Sequence, residues 1–106
     1  MINAEIYVDK FGNNIGFCIN GHSGYAEAGS DIVCAAVSSA AYMAANIIID
    51  IHKVDADVSV NDGFMKLRIL SQDAALCSVI LSGFKQHLCS LEEQYPDYLI
   101  VNYLEV

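Results

Sequence analysis

From its amino terminus the chain alternates apolar and polar residues: Ile2, Ala4, Ile6 and Val8 against Asn3, Glu5 and Tyr7. A period of two puts each set on one face of a strand, with the apolar face buried. Gly12 and two asparagines mark a turn at 11–14, after which Ile15, Phe17 and Ile19 resume the alternation. This predicts an antiparallel hairpin partner running to about Gly21. The stretch GHSGYAEAGSD, 21–31, contains Gly21, Gly24 and Gly29, two serines and no aliphatic side chain larger than Ala, and reads as a loop. Ser30 or Asp31 then caps a long Ala-rich helix over about 31–52, closed by His52 and Lys53, whose charge suits the carboxyl end of the helix dipole.

A second hairpin is predicted by Val58 and Val60, the turn Asn61-Asp62-Gly63, and Met65, Leu67 and Ile69. From about Asp73 to Tyr95, helical spacing relates Leu76, Val79, Ile80, Phe84, Leu88 and Leu91, and Pro96 stops the run. Gly83 reads as the point where the two helices touch. The segment 98–106 is apolar on both faces, which fits a central strand or one covered by a partner subunit. The order ββαββαβ predicts an α+β fold, two helices packed on one mainly antiparallel sheet, in a single domain over 1–106 without repeat or linker.

Composition narrows the class of protein. With 106 residues, 55% of them hydrophobic and 17% charged, disorder is excluded. A chain this long buries roughly 65% of its unfolded surface and needs neither metal nor disulfide to fold. The net charge is −8, and the five basic residues, Lys10, Lys53, Lys66, Arg68 and Lys85, are scattered. Nucleic acid and anionic membranes are therefore not expected as direct partners. Glu5 and Asp9 stand where an export signal needs a basic end and an unbroken apolar stretch, so a cytoplasmic protein is expected. The uncharged segment 32–49 lies between Asp31 and Asp50, contains Ser38, Ser39 and Asn46, and has no flanking basic cluster, which favours a core helix over a membrane span. Cys18, Cys34, Cys77 and Cys89 form no CxxC pattern and are expected to be free thiols.

The chemistry concentrates around the glycine loop. Cys34 falls in the first turn of the long helix, where unpaired N–H groups and the helix dipole favour an anion, as a nucleophilic thiol requires. His22 ends the second strand, and the loop can fold its imidazole back toward Cys34 as general base and then general acid. The helix-start N–H groups could hold an oxyanion. Asp31, Cys34 and Ser38 share one helix face. Asp31 is more coherent as an N-cap than as a free carboxylate, which would oppose a thiolate. Ser38 could bond Cys34, His22 or a helix carbonyl.

Plainer readings compete with these. A Cys in an Ala-rich helix is commonly a small buried hydrophobe. The glycine loop lacks the Gly-Lys-Ser/Thr ending of a phosphate cradle. His52 reads as a helix-end charge, His87 as a satisfied helix residue, and Cys18, Cys77 and Cys89 as packing residues. Asp50, Asp55 and Asp57 with His52 fit a solvated connection better than a metal site. In 57–63, Asp62 occupies the position where a calcium loop needs Gly. No cofactor is implied.

Taken together, Gly21-His22, Gly29, Asp31-Ile32-Val33-Cys34-Ala35 and Ser38 resemble the signature of the ribosomal-processing cysteine proteases, the Prp family of bacteria. The likeness extends to chain length, element order and the ending from Leu91-Glu92-Glu93 through Tyr95 to Asn102-Tyr103. It implies a small cytoplasmic endopeptidase, typically a homodimer, that removes a short N-terminal extension from a large-subunit ribosomal protein. It implies Cys34 as nucleophile, His22 as base, Asp31 and Ser38 as supporting polar residues, and an apolar groove for cleavage after aromatic residues. Ser23 stands where family members frequently carry Ala. A basic ribosomal-protein precursor also suits the acidic chain through long-range steering. Two other readings use the same residues: a non-catalytic module of this fold that binds a ribosomal tail, and a redox sensor at Cys34, disfavoured because no resolving Cys lies nearby in sequence.

Overall fold

The two alternating segments form β1 (Ile2–Val8) and β2 (Asn14–Asn20), paired antiparallel with Ile6 opposite Phe17. Asp9 fixes the turn between them by accepting the N–H groups of Phe11 (2.9 Å) and Asn13 (3.0 Å). The computed structural model describes residues 1–27 and 31–106. β3 (Asp57–Asn61) and β4 (Phe64–Arg68) form the second hairpin, and β4 pairs antiparallel with β2, Leu67 opposite Phe17. β5 (Leu99–Glu105) returns parallel to β1, giving the order β3-β4-β2-β1-β5.

Both helices cover one face of this sheet. α1 (Ile32–Asn46) buries Val33, Val37, Ala41, Ala44 and Ala45, and α2 (Ser78–Gln94) buries Leu81, Phe84, Leu88 and Leu91. The sheet side of the core is centred on Ile6, Phe17 and Leu67, with the Phe84 ring 4.4 Å from that of Phe17, centroid to centroid. The ββαββαβ order and the mainly antiparallel sheet are therefore as the hydrophobic pattern predicts. α1 runs into a π-helical turn (Ile47–Ile51) that buries Ile48. It is closed at His52, whose N–H reaches the Ile47 carbonyl, and at Lys53, which takes a left-handed conformation (φ 58°). The stretch Ile32–Ile51 is long and apolar enough to cross a membrane, yet one side of it is buried in this core.

Three expectations are corrected. β5 is an edge strand, not a central one, and Tyr103 is 54% exposed. Its outward N–H groups are partly capped within the chain: Leu99 donates to the Tyr95 carbonyl (3.2 Å) and Val101 to the Glu92 carboxylate (2.6 Å). Such capping blunts an open edge. The second helical segment starts later than Asp73: Ser71–Asp73 is a 3-10 turn and Cys77 precedes the helix. Leu76 therefore lies before α2 and Val79 on its outer side, 52% and 84% exposed. Gly83 does not mark a tight helix contact, since a Cβ there would meet nothing within 4 Å. It lines an open apolar groove of about 490 Å³ between α1 and α2, with Ala36, Ala40, Met43 and Ile80.

Candidate active site

Where β2 ends, Gly21 (φ +100°) turns the chain, and its N–H donates to the Gly63 carbonyl at 2.8 Å. A Cβ on Gly21 would lie 2.6 Å from the Met1 carbonyl oxygen, so only glycine fits. This bond ties the end of β2 to the β3–β4 turn and sets the exposed His22 ring against Gly63. Ser23, next in the chain, is buried. Its N–H donates to Sγ of Cys34 at 3.3 Å, its hydroxyl donates to Oδ2 of Asp31, and its Oγ accepts the Tyr25 N–H at 3.1 Å. The Tyr25 ring stands edge-on to Tyr98 and Tyr95, with centroids 5.1 and 5.9 Å away.

Asp31 is the N-cap of α1, as the sequence predicts. Its Oδ1 accepts the N–H groups of Val33 (3.0 Å) and Cys34 (2.9 Å). Burial alone would raise its pKa. The Cys34 N–H, the Ser23 hydroxyl, the Ala26 backbone and the Cys34 thiol outweigh burial and bring the carboxyl down to about 2. Asp31 is thus a charged, saturated cap.

For Val33, Cys34 and Ala35 the expectation that helix-start N–H groups are open to an oxyanion is corrected by bonds to Asp31. Those of Val33 and Cys34 are held by the Asp31 carboxylate, and that of Ala35 by the Asp31 carbonyl (3.1 Å). The Ser23 N–H instead points at the sulfur.

Cys34, half-buried, opens with His22, Asp31, Ser38, Gly21 and Gly24 onto one cleft of about 740 Å³ between α1 and the β2–β4 side of the sheet. Its inner wall is apolar, formed by Ile2, Ile19, Val37, Ala41 and Met65. Gly29 lies outside the described residues. Among the described residues the Cys34 sulfur bonds Ser23 and Asp31 rather than the His22 ring, and Ser38 bonds neither Cys34 nor His22. All four cysteines are free thiols.

Sequence reasoning missed Ser23, Gly63 and Tyr25 as parts of this site. A serine two residues before a glycine-loop Tyr fits a short side-chain-to-backbone turn, which was the available signal for Ser23. Nothing in the sequence pairs Gly63 with His22, because that contact crosses from one hairpin to the other.

A thiol in the first turn of a helix, an acidic cap, a histidine and an apolar wall thus share one open cleft on an α+β scaffold. Residues 1–100 match the family described as cysteine protease Prp, and the chain belongs to that family. The ribosomal processing cysteine protease Prp of Staphylococcus aureus is 29% identical over 105 residues, which cover 97% of this chain and 99% of that protein. The crystal structure of an essential ribosomal processing protease Prp from S. aureus with a covalently linked product peptide superposes with a TM-score of 0.90 at 28% identity, covering 98% of this chain and all of that one. A second structure, with a substrate peptide, gives 0.85 at 27% identity over the same shares.

Proposed function

We propose that this protein is an endopeptidase that removes a short N-terminal extension from a large-subunit ribosomal protein precursor, with Cys34 as nucleophile and His22 as general base. The observation that carries the reading is the convergence of Cys34 and His22 on one cleft, in a chain whose S. aureus relative is solved with peptides bound. His22 takes the thiol proton, and Sγ attacks the scissile carbonyl carbon. A C–S bond forms and the carbonyl π pair moves to oxygen. Collapse of this intermediate breaks the C–N bond, and His22 passes its proton to the leaving amine. Water, deprotonated by His22, then attacks the thioester and breaks the C–S bond. The exposed imidazole closes on the sulfur from its seat beside Gly63 when a peptide fills the cleft, since apo catalytic contacts commonly tighten only in the complex. The apolar wall suits an aromatic side chain at the cleavage point.

The substrate is basic, as ribosomal proteins generally are, and the enzyme acts in the cytoplasm, where its thiols stay reduced. It works as a homodimer, supported by the exposed apolar side chains Met43, Leu76 and Val79 on the helical layer. In cells, replacing the protein with Cys34→Ala should accumulate uncut precursor. Normal processing by that variant would contradict the assignment.

A further inference from the structure

Ser23 is only 3% exposed, and its hydroxyl and its backbone N–H engage different partners. The hydroxyl donates to Asp31, the N–H donates to the Cys34 sulfur, and Oγ accepts from Tyr25, which is itself braced on Tyr95 and Tyr98. The loop beside His22 is thus fastened to the sulfur, to the helix cap and to an aromatic brace. Asp31 lies three residues before Cys34, and an uncompensated carboxylate there opposes negative charge on sulfur. The Ser23 hydroxyl, the N–H groups of Val33 and Cys34 and the Cys34 thiol itself all donate to that carboxylate.

We propose that Ser23 is a positioning residue: anchored on Asp31, its hydroxyl holds its own backbone N–H against the Cys34 sulfur and shares in neutralising the cap carboxylate beside the thiol before a peptide arrives. When the C–S bond forms, negative charge passes from sulfur to an oxygen on the same carbon, within reach of that N–H. The N–H groups of Val33, Cys34 and Ala35 cannot take this part, because they are engaged with Asp31.

The role in turnover rests on the protease reading, but the hold of Ser23 on the sulfur is measurable without a substrate. Iodoacetamide labelling of Cys34, followed by peptide mass analysis, is compared for wild type, Ser23→Ala, Ser23→Thr, Asp31→Asn and the Ser23→Ala/Asp31→Asn double variant. All are assayed at a temperature where circular dichroism shows them folded. kcat and KM on a precursor peptide are read alongside. Ser23→Ala should slow labelling and lower kcat by about tenfold, the loss of one hydrogen bond to a charged group, with KM within about twofold. Ser23→Thr, which keeps the hydroxyl, should restore both to within about threefold, and the Ser23→Ala effect should vanish in the Asp31→Asn background. Wild-type labelling and kcat in Ser23→Ala, or additive effects of the two substitutions, would overturn the proposal. If the wild type labels at Cys34 but cleaves no peptide, the protease reading fails, and the labelling rates alone decide whether Ser23 holds the sulfur.

Discussion

The His22 ring occupies the space that a side chain at residue 63 would need: a Cβ on Gly63 would sit 2.6 Å from Nε2 and 3.0 Å from Cε1 of the imidazole. Gly63 is also at φ +65°, in the left-handed region where L-residues are strained. Gly63→Ala should push the ring off its seat and cost about 1 kcal/mol of stability. Peptide cleavage should drop about tenfold or more while Tm moves by only a few degrees. Unchanged cleavage would show that the seat on Gly63 has no part in placing His22.

The His22 side chain is exposed, so its removal should leave the fold standing. His22→Ala should keep the wild-type Tm to within a few degrees and lower kcat by about 10²- to 10⁴-fold, the range for loss of a general base. Calorimetry alongside a cleavage assay checks both halves.

Asp31 links the site to acid stability. Its carboxyl titrates at about 2 in the fold against an ordinary value of 3.8. A depressed pKa means that the stabilisation is complete above 3.8 and is lost as pH falls through 2. The Tm difference between wild type and Asp31→Asn should therefore stay constant from neutral pH down to about pH 5 and shrink toward pH 2. A difference that grows on acidification would contradict the assigned bonds. Asp31→Ala, which also removes the cap, should cost about 0.5–2 kcal/mol near neutral pH.

The acidic chain makes a prediction about salt. Steering between a −8 enzyme and a basic precursor is screened over about 8 Å at physiological ionic strength. kcat/KM for the whole precursor should fall several-fold between low and moderate salt, and less for a short neutral peptide. Equal salt dependence for both substrates would remove the steering argument.

The fold was legible in the sequence where burial follows a simple period. Ile2, Ala4 and Ile6, Phe17 and Ile19, and Met65 and Leu67 all lie on the helix-facing side, as their alternation implies. It was less legible where an apolar residue is not buried. Leu76 falls in the turn before α2, and Val79 lies on the side of α2 opposite its inward stripe of Leu81, Phe84, Leu88 and Leu91. The two apolar faces of 98–106 belong to a strand at the edge of the sheet, a place that an apolar run on both faces does not distinguish from a central one. At the site, Asp31 as cap could be read from its position before the helix. The Ser23 contacts to Cys34 and Asp31 depend on how the glycine loop folds back, and the seat of His22 on Gly63 depends on pairing between two hairpins.

The most direct measurement incubates the reduced, purified protein with a peptide spanning the processing site of the precursor and follows the products by mass spectrometry. Wild type should release two fragments cut after an aromatic residue and pass through a covalent adduct at Cys34, while Cys34→Ala yields neither. An intact peptide with the wild type, or equal cleavage by Cys34→Ala, would contradict the assignment of Cys34 as the nucleophile.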